Sequence, residues 1–383
     1  MINILYIHQS AELYGSDKTL LYLASQIKER GFNPIVVLPS KGPLYTELEK
    51  FQIEIIIAPI LKISRKMFSI SNIISLPFQV FQSFSIINNQ LKGRKIQVVH
   101  SNTLAVLIGA FYAKKYNIKH IWHVHEIITH PKLISNLYPR LVNYFSDIVI
   151  FNSEATQDYM IHKFPLIRKK SKVILNGLDR LTLLNSADEI LKLRKNLFDV
   201  SDHEIVIALV GRISRWKGQH LLLNSFREFE KINTNCKLVF VGSPPPNQEF
   251  FLESLEKKIK EYGLEDKVVL IPFQNNIWKI WDSINIAVVP STEQEPFGLV
   301  AIEAMLASKP VIASNHGGLK EIIINKETGY LVEPNNEKAL TEALLDLAIN
   351  EQTRNQMGLR GNERAKKSFS LKRYVDDFEK IYS

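Results

Sequence analysis

Two carboxylates, Glu295 and Glu303, bracket the segment EPFGLVAIE, in which Pro296 and Gly298 open an otherwise apolar run. Pro favours the start of a helix, and Gly lets a backbone approach a neighbour closely. Glu295 is therefore expected in a loop and Glu303 well inside a helix. At a rise of about 1.5 Å per residue, the two lie roughly 12 Å apart along the axis. Between them fall the free N–H groups of a helix N-terminus, which attract phosphate. An extended ligand with a hydroxyl-rich group at each end of a diphosphate fits this layout. A nucleotide sugar is such a ligand.

Cations for a diphosphate are available in GRISRWKG, where Arg212 and Lys217 sit five residues apart at a turn from strand to helix. They can neutralise charge that grows on the diphosphate as its bond to a sugar breaks. As merely solvated residues at a helix start they would oppose the helix macrodipole. Arg215, between them, reads as a surface residue. Glu293-Gln294-Glu295 mimics an acidic metal pair, but the chain contains no D-x-D. With two cations and a helix terminus at hand, neither a metal nor another cofactor is expected.

Histidines form a second group. A strand over KHIWHVHE puts His123 and His125 on one face, which raises an H-x-H metal pair. Further ligands at recognisable spacing are missing, so His123 reads as a satisfied core histidine and His125 as a residue at a strand end. His8, His100 and His316 also fall near strand ends, where spacing alone assigns them nothing.

The elements that must position these residues alternate short β-branched runs with longer amphipathic stretches, the pattern of α/β units around parallel sheets. Strand candidates in the first half are INILYIH, PIVVLP, IEIIIAP, QVVHSN, KHIWHVHE, DIVIFNS and KVILNG. A second series runs through EIVIALVGRI, KLVFVGS, KVVLIPF, INIAVVPS and PVIASN. At 383 residues the chain is long for one core. Two Rossmann-like domains are expected, 1–180 and 181–367, with a last helix over about 368–383 packing back on the first. Asn176-Gly177 reads as the turn between them, and the parallel sheets are expected to face a cleft that holds the site.

Composition narrows the class. A hydrophobic content of 45% and a charged content of 23% are ordinary for a globular enzyme. The single cysteine, Cys236, excludes an intramolecular disulfide, fits a reducing cytoplasm and reads as a buried structural thiol. MINILYIH reads as a first strand, since it lacks a basic n-region and a cleavage pattern. The net charge of +9 is local: no Asp or Glu lies between Glu54 and Glu126, against nine Lys or Arg, from Lys62, Arg65 and Lys66 through Lys92, Arg94 and Lys95 to Lys119. Nucleic acid is disfavoured as the anionic partner, because zinc-finger spacing and RRM-type aromatics are absent. The uncharged stretch Met67 to Leu91, too rich in Ser, Asn and Gln to span a bilayer, reads as an interfacial helix. The basic 62–95 region would then meet an anionic membrane surface.

Four blocks, GRISRWKG, PSTEQEPFGLVAIEAM, PVIASNHGG followed by Glu321, and TGYLV, resemble the retaining glycosyltransferases of family 4, which have the GT-B architecture. The likeness extends through YGSDKTLLYLA, VVHSNT, HVHE, VILNGLD and the tail SFSLKRYVDDFEKIYS, and so covers nearly the whole chain. The resemblance implies that Glu295 meets hydroxyls of the transferred sugar and Glu303 the nucleoside ribose. It implies that the N–H groups near Phe297, Gly298 and Leu299 face the diphosphate, and that His125 approaches the sugar. Gly15 and Ser16 fall in the acceptor and diphosphate loop, where the family usually has paired glycines. Ser308 replaces another common glycine, which leaves the end of its helix in question.

The expected reaction is transfer of a sugar from a nucleotide-diphosphate donor to an acceptor hydroxyl, with retention and without metal. The basic, Phe-rich first domain together with family habit favours a lipid-linked or cell-envelope glycan as acceptor over sucrose-type or glycogen-type synthesis. The enzyme is then expected in the cytoplasm and peripherally on the cytoplasmic face of the inner membrane. Two alternatives keep the donor site: a nucleotide-sugar epimerase, and a non-catalytic membrane-associated nucleotide-sugar-binding protein.

Overall fold

Apolar runs too short for helices become strands buried on both faces, as in β1 (Asn3–His8) and β8 (Ile205–Val210). The structure is a computed structural model and describes residues 1–60, 70–180, 182 and 185–383. The chain divides into two compact units, Met1–Gly177 with Leu371–Ser383, and Leu178–Ser370. In the first, β1 joins β2 (Asn33–Leu38), β3 (Glu54–Ile57), β4 (Val98–Asn102), β5 (Lys119–Val124), β6 (Ile148–Phe151) and β7 (Ser171–Val173). These seven form one parallel sheet in the order β3-β2-β1-β4-β5-β6-β7.

The second unit repeats the scheme. Here β8 joins β9 (Cys236–Val241), β10 (Val268–Ile271), β11 (Ile286–Val289), β12 (Val311–Ser314) and β13 (Gly329–Val332). The order is β10-β9-β8-β11-β12-β13, again parallel throughout. Each is a Rossmann-like α/β unit. The edge strand β13 adds to the strands read from the sequence; its GYLV is half-buried and carries one β-branched residue, which makes its local signal weak. In both sheets the order reverses at one pair, β1 beside β4 and β8 beside β11. Ligands of such folds bind beyond the strand carboxyl ends at that reversal.

Alternation along the strands gives the first sheet two buried faces. Leu5, Ile7, Ile35 and Val37 join one cluster with Phe84, Ile87, Tyr112, Tyr138 and Val142 from three helices, Ile70–Leu91, Leu107–Tyr116 and Lys132–Phe145. Ile4, Tyr6 and Val36 face the other way, against helices Gly15–Glu29 and Leu371–Tyr382. The last helix buries Leu371, Tyr374, Val375, Phe378, Ile381 and Tyr382 at helical spacing. Each such side chain contributes about 1.5–3 kcal/mol. Arg30 pairs with Asp376 and Glu379 at 2.5 Å beside them.

Other expectations meet specific outcomes. Cys236 is buried, its thiol donates to the Asn233 carbonyl, and burial pushes its pKa up to about 12, which makes it an inert thiol. Helix Leu299–Leu306 ends normally despite Ser308, which takes the left-handed conformation at φ +56°. Lys309 N–H reaches the Ala304 carbonyl at 2.9 Å and Ser308 N–H that of Met305 at 2.9 Å, a Schellman stop completed without glycine. Lys62, Arg65 and Lys66, and the start of the stretch from Met67, lie outside the described residues. The rest of that stretch forms helix Ile70–Leu91, which buries Phe84, Ile87 and Leu91 and exposes Phe78 and Phe81. Among the described residues no helix is long and apolar enough to cross a membrane.

Candidate active site

The order reversal of the second sheet brings together segments far apart in sequence. β8 ends in Val210 and runs into Gly211-Arg212, and β11 ends in Val289 and runs into Pro290-Ser291. From the first turn, Lys217 Nζ donates to both Glu295 carboxylate oxygens, at 2.9 and 2.8 Å. Ser291 Oγ donates to the same carboxylate at 2.9 Å. The Lys217 ammonium also sits 4.2 Å from the centroid of the Trp216 ring. Trp216 in turn accepts from Thr292 N–H at 2.8 Å, which ties the two loops together. Both charged side chains are largely withdrawn from water, at 15% and 9% exposed, so their attraction is weakly screened.

The Glu295 main chain is held as well. Gly318 N–H donates to its carbonyl at 2.8 Å, and His316 Nε2–H donates to the Ser291 carbonyl at 2.9 Å. Burial lowers the His316 pKa, chiefly over the favourable pull of that carbonyl. Glu295 lies in a loop and Glu303 inside helix Leu299–Leu306, but the helix starts after Gly298 rather than at Pro296. Gly298 caps it at φ +107°, a left-handed backbone that disfavours any side chain. Phe297 and Leu299 are buried on either side. Helix positions Leu299 onward carry the first-turn N–H groups and their positive end of the dipole.

Glu303 is brought to a different partner, accepting from Trp281 Nε1–H at 3.2 Å in a buried setting. Arg212 is half-buried at the turn, and its carbonyl accepts from the Gln219 side chain at 2.8 Å. Arg215 is an exposed residue paired with Glu293. The two carboxylates of Glu293-Gln294-Glu295 thus face two separate cations.

The first unit carries a polar cluster at its own reversal. His125 follows β5 and is 8% exposed; its Nε2 lies 3.0 Å from Asn102 Oδ1 at the end of β4. Asn102 Nδ2 reaches His8 Nδ1 at 3.0 Å, and His8 Nε2 reaches Asp17 Oδ1 at 2.5 Å. Burial, reinforced by His8 and opposed by Asp17, lowers the His125 pKa to about 3, so the imidazole is neutral at physiological pH. Glu126 caps this corner by accepting from Leu104 N–H at 2.9 Å and from His125 N–H at 3.2 Å; burial raises its pKa.

His123 packs its ring 4.0 Å from that of His125. It is fully buried, and among the described residues neither ring nitrogen has a hydrogen-bond partner, which differs from the expected satisfied core histidine. Gly15 begins helix Gly15–Glu29, and an added Cβ there would meet nothing within 4 Å. The protein's own packing thus does not require glycine at this point. The Ser16 carbonyl accepts from Asn102 Nδ2 at 3.3 Å. Asp17 and Asn102 were not singled out by sequence reasoning; the available signal was Asp17 three residues after Tyr14, whose N–H it accepts at 2.8 Å.

Similarity to known proteins identifies the family and the fold. The family described as Glycosyl transferases group 1 matches residues 193–364, and Glycosyltransferase Family 4 matches residues 14–180. An uncharacterized glycosyltransferase of Methanocaldococcus jannaschii is 28% identical over 79% of this chain and 80% of that protein. The N-acetylgalactosamine-N,N'-diacetylbacillosaminyl-diphospho-undecaprenol 4-alpha-N-acetylgalactosaminyltransferase of Campylobacter jejuni is 29% identical, over 61% of this chain and 58% of that one. Some other relatives are matched over only about half of their length (49% and 50%). The crystal structure of Anabaena HepE in complex with UDP and glucose superposes with a TM-score of 0.86 at 25% identity, covering 100% of this chain and 99% of that one. The chain belongs to the group 1 glycosyltransferases of family 4, and its two Rossmann-like units have the GT-B fold.

Proposed function

We propose that the protein transfers a sugar from a nucleoside-diphosphate sugar to an acceptor hydroxyl with retention of anomeric configuration and without a metal ion. The observation that carries this reading is the cluster of Lys217, Glu295 and Ser291 next to the N-terminus of helix Leu299–Leu306. Arg212, Lys217 and the N–H groups at Phe297, Gly298 and Leu299 stabilise the leaving diphosphate, as a metal does elsewhere. Glu295 orients the transferred sugar, and Glu303 accepts from the ribose. On the first unit, His125 contacts the sugar, while Gly15 and Ser16 belong to the acceptor loop. The bond from the anomeric carbon to the diphosphate oxygen breaks, and a bond from that carbon to the acceptor oxygen forms on the same face. The acceptor proton passes to the departing diphosphate oxygen.

A panel of UDP-, GDP- and ADP-sugars, offered with polyprenyl-diphosphate-linked and soluble glycan acceptors, tests this. UDP-glucose heads the panel because HepE is known in complex with UDP-glucose. The expected result is acceptor-dependent release of nucleoside diphosphate that survives EDTA, with an α-linked donor giving an α-linked product by NMR. A β-linked product, or turnover abolished by EDTA, overturns the proposal.

The acceptor side is assigned to an anionic bilayer surface at the cytoplasmic face, with a cell-surface polysaccharide or glycolipid precursor as acceptor. Helix Lys132–Phe145 exposes Leu133 at 71%, Leu137 at 49%, Leu141 at 39% and Tyr144 at 64%, in one stripe at helical spacing. Phe78 and Phe81 are exposed on helix Ile70–Leu91. Between these helices Lys114 lies over the Tyr144 ring and Lys115 over Phe84. Apolar side chains flanked by ammonium groups suit the boundary of an anionic membrane. Arg94, by contrast, is forked onto Glu54 and adds little net charge. Co-sedimentation with phosphatidylglycerol vesicles is expected to fall at least tenfold in Leu133→Ser/Leu137→Ser and in Lys114→Glu/Lys115→Glu, given about 1 kcal/mol per basic residue near such a surface. Equal pelleting of all three proteins would remove the membrane from the reading.

A further inference from the structure

Asn102 stands between His8 and His125, and the two ends of its amide face different groups. Nδ2 lies 3.0 Å from His8 Nδ1 and 3.3 Å from the Ser16 carbonyl. A carbonyl only accepts, so the end facing Ser16 is the NH₂. The opposite end, Oδ1, therefore points at His125 Nε2 across 3.0 Å, and that nitrogen must carry the proton.

The far end of the chain enforces the same direction. His8 Nε2 lies 2.5 Å from Asp17 Oδ1, and Asp17 Oδ2 takes the Tyr14 N–H at 2.8 Å. A carboxylate also only accepts, so His8 is protonated on Nε2 and accepts from Asn102 on Nδ1. The 3.3 Å approach of His8 Nδ1 to the Asn102 main-chain carbonyl would need a second proton on His8. That proton would oppose the Asn102 NH₂, which is closer.

Donation thus runs one way, from His125 through Asn102 and His8 to Asp17. All four side chains are buried, and the chain crosses the carboxyl ends of β1, β4 and β5. The His123 ring, tilted 46° against that of His125 and without a hydrogen-bond partner among the described residues, packs beside the imidazole.

We propose that Asp17, His8 and Asn102 are positioning residues that lock His125 as its Nε2–H tautomer, leaving Nδ1 to accept a hydrogen bond from a substrate hydroxyl. This rests on the assignment of His125 to the sugar. It also restricts the ligand chemistry at that point. A neutral nitrogen lone pair accepts from a hydroxyl and repels phosphate or carboxylate oxygen, so the diphosphate does not occupy this corner. The opposite tautomer would present an N–H there and reverse the preference.

The test is the long-range ¹H–¹⁵N spectrum of the full-length protein labelled at histidine, with the His125 signals identified by their loss in His125→Gln. The expected pattern is protonation of His125 on Nε2 alone. Asp17→Asn supplies one acceptor oxygen where the Tyr14 and His8 N–H groups converge, so it should admit the second tautomer. It should also lower kcat roughly 10- to 100-fold for the donor and acceptor pair that the sugar-nucleotide panel identifies, with the donor KM within about threefold. Asp17→Glu, which restores the carboxylate, should recover kcat to within about threefold of wild type. Thermal melting checks that each variant is folded. Protonation of wild-type His125 on Nδ1, or an Asp17→Asn protein with unchanged tautomer and kcat, overturns the inference. The role of His125 fails separately: His125→Ala with full turnover sinks the substrate contact, whatever tautomer the spectrum shows.

Discussion

Replacing Lys217 by Ala is expected to lower kcat/KM by roughly 1000-fold, about 4 kcal/mol of transition-state stabilisation. The ammonium faces both Glu295 oxygens at 2.8–2.9 Å in a setting largely shielded from water. It can therefore meet diphosphate charge as that charge develops while still fixing the carboxylate that orients the sugar. Its loss has a second consequence, because Glu295 is then left buried with the Ser291 hydroxyl. Removing one partner of a buried ion pair costs about 3–5 kcal/mol of stability, whereas removing both charges costs much less. Stability and activity should then separate in a double variant. Lys217→Ala/Glu295→Gln is expected to recover most of the Tm lost in Lys217→Ala and none of the turnover. Thermal melting and steady-state kinetics on the three proteins check this. Wild-type kcat/KM in Lys217→Ala would show that the donor diphosphate does not rely on this cation.

Gly317→Ala should be nearly as damaging to activity, although the residue has no side chain to touch a substrate. Its φ is +57°, and an added Cβ would sit 2.2 Å from the Glu295 carbonyl oxygen and 2.9 Å from the Glu295 nitrogen. Both obstacles are backbone, which cannot rotate aside as a long side chain can. Overpacking together with a left-handed alanine is expected to cost about 3 kcal/mol. The relief available is movement of the Glu295 segment, and a displacement of about 1 Å of a substrate-orienting group costs on the order of 100-fold in rate. Gly15→Ala is the contrast for stability, since nothing lies within 4 Å of its Cβ position. It should change stability by less than about 0.5 kcal/mol. Equal Tm values for Gly317→Ala and wild type would show that the packing of this loop against Glu295 is not rigid.

Much of the fold was legible because its signals are local. Runs such as IVIALV and NILYIH are continuous and apolar because their strands are covered on both faces. The spacing in LKRYVDDFEKIY marks a helix with one apolar face, and that helix is found packed in the first unit. β13 was missed as a strand because an edge strand of four residues needs less apolar surface. EPFGLVAIE announced a loop carboxylate and a helix carboxylate, and both elements are present. The helix start shifted to Gly298, because a left-handed cap outweighs the preference of Pro296.

The sequence by itself determined which residues could do chemistry and on which kind of element each would sit, since those depend on side-chain type and neighbours within a few positions. Only the tertiary structure decided their partners. Lys217 and Glu295 are 78 residues apart and meet because β8 lies beside β11. His8 and Asn102 are 94 residues apart and meet because β1 lies beside β4, and that contact completes the chain from Asp17 to His125. Strand order is fixed by packing over the whole sheet, and hydrogen bonds between strand ends follow from it.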